Sequence, residues 1–276
     1  PEVSRLCFEI EPHEIYNLAA QSHVARSFRA PVETLTANAN GTLVLLEAAR
    51  ECCNNGREVR MYHASTSEMF GAPDVYPQNE QTPFRPCSPY ACSKVYAFHQ
   101  VVNYREAHGL YACNGILFNH ESPRRPDTYV TRKITRSAAR IAAGLETSLT
   151  LGNLEVGRDW GFAREYVEAM WRLLQQDAPE DFVIATNRWH TLEEFLERAF
   201  QRVGLNWRDH VIQDPTLMRP AEVTRLQGDY GRAREKLQWE PRTTFESLVD
   251  IMVDADVQRA ALYQPSVSGR SQVSLY

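Results

Sequence analysis

Tyr90 and Lys94 stand four residues apart in a stretch patterned as a helix, so both side chains leave one face and their polar ends can converge. That pair suits acid–base chemistry. A free tyrosine ionises at about 10, and a neighbouring ammonium favours the phenolate. Alone, the spacing more often marks a solvated helix face. Upstream, Tyr62-His63-Ala64-Ser65-Thr66-Ser67-Glu68 sets hydroxyls and a carboxylate just past an apolar strand pattern. Open α/β sheets bind ligands at such strand ends. Read by themselves, Ser65 and Thr66 would serve equally to cap a turn, with Glu68 in solvent. A hydroxyl, a carboxylate, a tyrosine and a lysine at matching strand and helix ends together point to a site made of Thr66, Glu68, Tyr90 and Lys94.

The elements that must position these groups follow from the apolar pattern. Short strand candidates at Glu14 to Ala19, Val59 to Ala64, Cys113 to Phe118 and Phe182 to Ala185 are each followed by a segment long enough for a helix. That alternation predicts βαβ units and a parallel sheet. Pro31 to Arg50 repeats Leu35, Leu43, Leu45 and Leu46 and runs into the turn residues Asn54, Asn55 and Gly56, so one helix is expected there. Ser88 as N-cap and Pro89 in a first turn open a second helix that stops at Gly109. Further helices are expected at Thr131 to Gly144 and Thr244 to Tyr263, with a loop-rich stretch after Phe118 leading into a second lobe and a loose tail from Gln264.

In doubly wound cofactor folds a glycine-rich turn after the first strand delivers pyrophosphate to a helix N-terminus. Here no glycine precedes Gly41, and the sheet is therefore expected to lack its first strands and that loop. At 276 residues the chain can bury roughly 75% of its unfolded surface. Its 43% apolar and 24% charged residues are those of an ordinary globular protein. A net charge of -5, with no basic run interleaved with aromatics, argues against a nucleic-acid partner. The six cysteines show no CxxC pairing and no histidine at zinc-ligand spacing, which predicts reduced thiols in a cytoplasmic protein and no metal site. With no apolar stretch of about 18 residues, no membrane span is expected.

The runs Ala64-Ser65-Thr66-Ser67-Glu68-Met69-Phe70-Gly71, Ser88-Pro89-Tyr90 to Lys94, and Gly115-Ile116-Leu117-Phe118-Asn119-His120-Glu121-Ser122-Pro123 resemble the GDP-mannose 4,6-dehydratase family. Val130-Thr131-Arg132-Lys133, Arg158-Asp159-Trp160-Gly161, Tyr166 to Trp171 and Arg219-Pro220-Ala221-Glu222-Val223 extend the likeness from about Glu14 to about Leu262. The resemblance implies an extended short-chain dehydrogenase: an α/β, NAD(P)-binding Rossmann-like parallel sheet with a smaller C-terminal substrate-binding lobe. The cofactor-binding lobe would take 1–125, with 159–186 returning to it, and the substrate-binding lobe 126–158 and 187–263.

The same resemblance implies roles. Tyr90 would take a proton from the mannose 4-hydroxyl as hydride passes to NADP, with Lys94 lowering its pKa and Thr66 holding that hydroxyl. Glu68 would remove the carbon-5 proton and help expel water from carbon 6, a task that a simple reductase or epimerase does not have. Leu18, Ala20, Ser22, Lys94, His120 and Arg125 would bind NADP, and Asn119, Val130, Lys133, Arg158, Arg219 and Glu222 would bind GDP-mannose. A homo-oligomer, dimer or tetramer, is implied. The departures are the absent glycine loop, Glu33 where the family tends to have an aromatic residue, and Asn187 where a glycine usually follows the Ala-Thr strand end. Two other readings stand beside this one: a non-catalytic fragment or partner of a full-length dehydratase, and a dehydratase for a different nucleotide sugar.

Overall fold

The computed structural model describes residues 2–217 and 223–262; Arg219, Glu222 and the expected tail lie outside the described residues. Along the chain, α1 (Glu2–Ile10) leads into β1 (Glu14–Asn17), then α2 (Val24–Arg29), α3 (Pro31–Leu35) and α4 (Gly41–Asn54). Next come β2 (Arg60–Thr66), α5 (Pro89–His108), β3 (Tyr111–Leu117) and β4 (Asn119–Glu121). α6 (Val130–Ala142), β5 (Leu149–Leu151), β6 (Gly157–Phe162), α7 (Ala163–Leu174) and β7 (Phe182–Ile184) follow. The chain continues through β8 (Trp189–Thr191), α8 (Leu192–Arg202), β9 (Val211–Gln213), α9 (Gly231–Leu237) and α10 (Phe245–Ala261).

All four strands expected from the sequence join one parallel sheet in the order β1-β2-β3-β7. Parallel neighbours need long crossovers, which the helices between them supply. Alternate residues of a strand face opposite sides, and the core divides accordingly. Met61 and Ala112 face Leu46, Ala49 and Cys52 of α4 and Val101 of α5. Tyr62 and Cys113 face Tyr166, Ala169 and Leu173 of α7 and Leu237 of α9. β1 pairs on one side only, with β2.

The remaining strands make two small sheets, β4-β6-β8 and β5-β9. Their apolar centre, with Ile134 of α6, Phe195 and Leu196 of α8, and Leu248 and Met252 of α10, is a cluster of its own. The single helix expected over Pro31 to Arg50 is interrupted: Thr36–Asn40 forms a π-turn between α3 and α4. Asn187 has φ 59°, the left-handed backbone that costs a side chain and favours glycine. Among the described residues no helix is long and apolar enough to cross a membrane.

Candidate active site

Ser88 caps α5 by accepting from the Ala91 backbone N–H at 3.1 Å, and Pro89 follows at the first helical position. Tyr90 is therefore fixed in the first turn and Lys94 one turn later, both buried. β2 runs alongside and ends at Thr66, whose hydroxyl accepts from the Glu68 N–H at 3.2 Å and caps a 3-10 turn over Ser67–Phe70. Thr66 is also hydrogen-bonded to Tyr90, and Glu68 is close enough to act on Tyr90 electrostatically. Thr66, Glu68 and Tyr90 thus meet where β2 ends.

Lys94 behaves differently from the expectation. Its Nζ donates to the Ala64 carbonyl at 2.9 Å, and burial lowers its pKa to about 8. Burial pushes the Tyr90 phenol up; the Thr66 hydrogen bond and the Arg125 guanidinium pull it down, while Glu68 and Tyr129 add to the rise. The Arg125 guanidinium is a cation acting against the rise, while the Lys94 ammonium is bonded to a main-chain oxygen.

Arg158 lies buried in β6, where it donates to the carbonyls of Gly157 at 2.8 Å and Val223 at 2.7 Å. Its Nη2 is 3.7 Å from the Glu68 carboxylate, so a residue expected at the substrate stands beside the expected base. Asn119 and His120 open β4. The His120 Nδ1 lies 2.9 Å from the Phe118 carbonyl and its ring stacks on Tyr166 with centroids 4.9 Å apart; burial lowers its pKa and keeps the ring neutral. Val130 and Lys133 occupy the first turn of α6. Lys133 donates to the Thr150 carbonyl at 2.7 Å and lines a cleft with Asp127, Arg136 and Ser148, a wall that does not include Tyr90 or Glu68.

Leu18, Ala20 and Ser22 follow β1, with Leu18 exposed. Ala20 and Ser22 line a second cleft of about 600 Å³ with Arg26, Arg29 and Tyr129. Arg125 makes a two-point ion pair with buried Glu121, at 2.7 and 2.8 Å, and lies over the Tyr129 ring at 4.3 Å. At the two single-residue departures, Glu33 pairs with Arg26 at 2.7 Å, and the Asn187 carbonyl accepts from Gln227 Nε2 at 3.0 Å.

Two supporting residues escaped the sequence reading. Asn38, buried in the π-turn, accepts from the Gln21 N–H at 2.8 Å and donates to the Gln21 carbonyl at 3.2 Å and to Ser93 Oγ at 3.0 Å. It thereby joins the loop after β1 to the residue preceding Lys94. A polar residue within a helical segment, three before a glycine, was the available signal. Tyr129 is the other: its hydroxyl lies 2.7 Å from Ser22 Oγ.

A family model described as GDP-mannose 4,6 dehydratase matches residues 1–252. GDP-mannose 4,6 dehydratase 1 of Arabidopsis thaliana is 57% identical over 252 residues, covering 91% of this chain and 70% of that protein. GDP-mannose 4,6 dehydratase of Homo sapiens is 49% identical over 267 residues, covering 91% and 72%. Among solved structures, RMD from Pseudomonas aeruginosa complexed with NADPH matches with a TM-score of 0.82 at 26% identity, over 90% of this chain and 82% of that one. UDP-glucose 4-epimerase from Thermotoga maritima with UDP-glucose matches with a TM-score of 0.84 at 25% identity, over 95% and 82%.

Proposed function

Because the chain belongs to the GDP-mannose 4,6-dehydratase family, we propose that it converts GDP-mannose to GDP-4-keto-6-deoxymannose by internal hydride transfer through bound NADP and loss of water. The observation that carries this reading is the meeting of Thr66 and Tyr90 with a carboxylate, Glu68, at the end of β2. Oxidation of a sugar hydroxyl needs the tyrosine and lysine. Only removal of a carbon-bound proton needs the glutamate as well.

The residues around this cluster fit a nicotinamide dinucleotide. The cleft bounded by Ala20, Ser22 and Tyr129 opens after β1, at the strand ends where parallel sheets bind dinucleotides. Arg125 offers a guanidinium to a phosphate, and Lys94 an ammonium to a ribose. Leu18, Ala20, Ser22, Lys94, His120 and Arg125 would hold the group. The NADPH carried by RMD supports NADP as the form used. The nicotinamide supplies a hydride acceptor for sugar carbon 4 and a hydride donor for carbon 6, and so is regenerated in each turnover.

Around it, Tyr90 takes the proton of the 4-hydroxyl while Thr66 holds that oxygen, which leaves a ketone at carbon 4. The ketone acidifies the hydrogen on carbon 5. Glu68 takes that proton while Tyr90 gives the one it holds to the hydroxyl on carbon 6, which leaves as water; Glu68 then returns its proton to carbon 5 as hydride returns to carbon 6, so that the net change is the loss of one water. Asn119, Val130, Lys133, Arg158, Arg219 and Glu222 would bind GDP-mannose, the cations serving its diphosphate. Arg158 would then serve both the substrate and Glu68, its neighbour at 3.7 Å.

The test is a dehydration assay on the chain with GDP-mannose and NADP, with circular dichroism confirming the fold. Wild type forms the 4-keto-6-deoxy product and Tyr90→Phe forms none. Glu68→Gln loses dehydration by about 10²- to 10⁴-fold while still reducing the nicotinamide, since only the carbon-5 step needs the carboxylate. Dehydration by Glu68→Gln at the wild-type rate would remove Glu68 from the mechanism. Faster turnover of another nucleotide sugar in the same assay would replace GDP-mannose as the substrate. A folded wild-type chain that makes no product from any of them refutes the activity.

A further inference from the structure

Tyr129 occupies the junction of three parts of the site. It is the N-cap residue of α6, and its carbonyl accepts from the Lys133 N–H at 2.8 Å. Its hydroxyl lies 2.7 Å from Ser22 Oγ across the cleft after β1, a contact spanning 107 residues of sequence. Its ring lies under the Arg125 guanidinium, 4.3 Å from Cζ to centroid. Arg125 is held from its other side by both oxygens of Glu121, and Glu121 also accepts from Thr131 Oγ1 at 2.8 Å. Two independent anchors therefore fix one guanidinium, and the Tyr129 anchor is itself tied to the loop after β1.

We propose that Tyr129 is a positioning residue for the reaction of this site: its hydroxyl latches the Ala20–His23 loop to the start of α6, and its ring holds Arg125 within electrostatic range of Tyr90. The proposal rests on the reading of Tyr90 as the proton acceptor. The groups facing Tyr90 are few and can be named. Thr66 reaches it from the end of β2, Glu68 from the following turn, and Arg125 and Tyr129 from the segment between β4 and α6. Lys94 lies one turn along α5 with its ammonium on Ala64, and Arg158 stands behind Glu68. Arg125 is thus the positive group in this set that acts directly on Tyr90. A loosened Arg125 leaves the developing phenolate facing Glu68 without its counter-charge.

Three variants separate the two functions of the side chain. Tyr129→Phe keeps the ring and removes the latch; Ser22→Ala removes the latch from the other side. Each raises the KM for NADP about three- to tenfold, the loss of one partly exposed hydrogen bond. The double variant is no worse than either single. Tyr129→Leu removes the ring as well, and lowers kcat at least tenfold beyond the effect of Tyr129→Phe. Rescue by the conservative phenylalanine is a response that a merely structural tyrosine hydroxyl would not give. Additive KM effects from Ser22→Ala and Tyr129→Phe, or equal kcat for the leucine and phenylalanine variants, overturn the proposal. Urea unfolding of wild type, Tyr129→Phe, Ser22→Ala and their double keeps it distinct from the function itself. If wild type is inactive yet the double variant unfolds at the midpoint of either single, the latch stands and the activity falls; additive midpoints overturn the latch whatever the activity.

Discussion

Asn38→Ala tests whether the loop after β1 and the catalytic helix are held together by one buried side chain. Asn38 is fully buried and makes three side-chain hydrogen bonds: from the Gln21 N–H at 2.8 Å, to the Gln21 carbonyl at 3.2 Å, and to Ser93 Oγ at 3.0 Å. A typical hydrogen bond contributes about 1 kcal/mol net, so the three together are worth about 3 kcal/mol. The Gln21 backbone groups would be left without partners near the surface, where water can reach them in part, so no large further penalty is added. Against a total stability of about 5 to 15 kcal/mol, the loss is large. In urea, with a slope of about 3 kcal/mol per molar, the midpoint should fall by about 1 M. Asn40→Ala is the control: Asn40 lies in the same π-turn, two residues on, but is exposed, and its loss should cost less than about 0.5 kcal/mol. Equal shifts for the two alanines would refute the clamp and reduce Asn38 to a helix-propensity effect.

Two further outcomes follow from buried charge. Asp256 of α10 receives Arg132 Nη1, Thr135 Oγ1 at 2.8 Å and Arg259 Nη1 at 3.0 Å, and both Arg132 and Asp256 are buried. Asp256→Asn leaves the Arg132 charge with only Asp127, 3.6 Å away, and should cost about 3 kcal/mol in urea unfolding, the lower end for a broken buried pair; a loss below about 1 kcal/mol would refute it. The second outcome concerns pH. Lys94 ionises at about 8 in the folded chain and at about 10.4 when unfolded, so between those values the unfolded chain holds the extra proton. Stability should therefore rise with pH across that window and be lost as pH falls through 8, by an amount on the order of 3 kcal/mol. The difference between wild type and Lys94→Met, measured by denaturation from pH 7 to about 10.5, isolates it; a flat difference curve would mean that Lys94 is not desolvated.

What the sequence disclosed depended on whether local chemistry or distant partners set the structure. α5 was legible at both ends because Ser88, Pro89 and Gly109 carry their conformational preferences with them; Gly109 sits at φ 64°. β2, β3 and β7 were legible because each carries a mostly buried apolar run, whereas β1, with only Asn17 buried, showed as the first strand of the alternation. β6 was not. It carries Arg158 and Asp159 in a buried stretch, and those groups are tolerable only because residues far along the chain complete them. Asp159 accepts from the Thr186 N–H and hydroxyl and from the Gly228 N–H, and Arg158 donates to the Val223 carbonyl. β4 and β8, three residues each, are too short to show a period at all. The π-turn at Thr36–Asn40 was hidden for the same reason as β6: its justification is Asn38's contact with Gln21 and Ser93, 17 and 55 residues away.

The same division explains how the site obtains its geometry. Apolar packing brings α5 against β2 and sets their separation, but oily contacts are non-directional and tolerate rotation of a helix about its axis. Directional bonds remove that freedom at three successive positions. Ser88 fixes the first turn, Ser93 donates to the Tyr90 carbonyl at 2.7 Å while accepting from Asn38, and Lys94 ties the next residue to Ala64 of β2. Tyr90 lies between these fixed points, and its hydroxyl meets Thr66 two residues beyond the carbonyl that Lys94 holds. Because Lys94 grips the strand itself, any axial slip of α5 would break its bond to Ala64 and part Tyr90 from Thr66 at once. The lysine is thus a geometric tie between helix and strand as well as a charge, and Lys94→Met should displace Tyr90 from Thr66 even though it fills similar space.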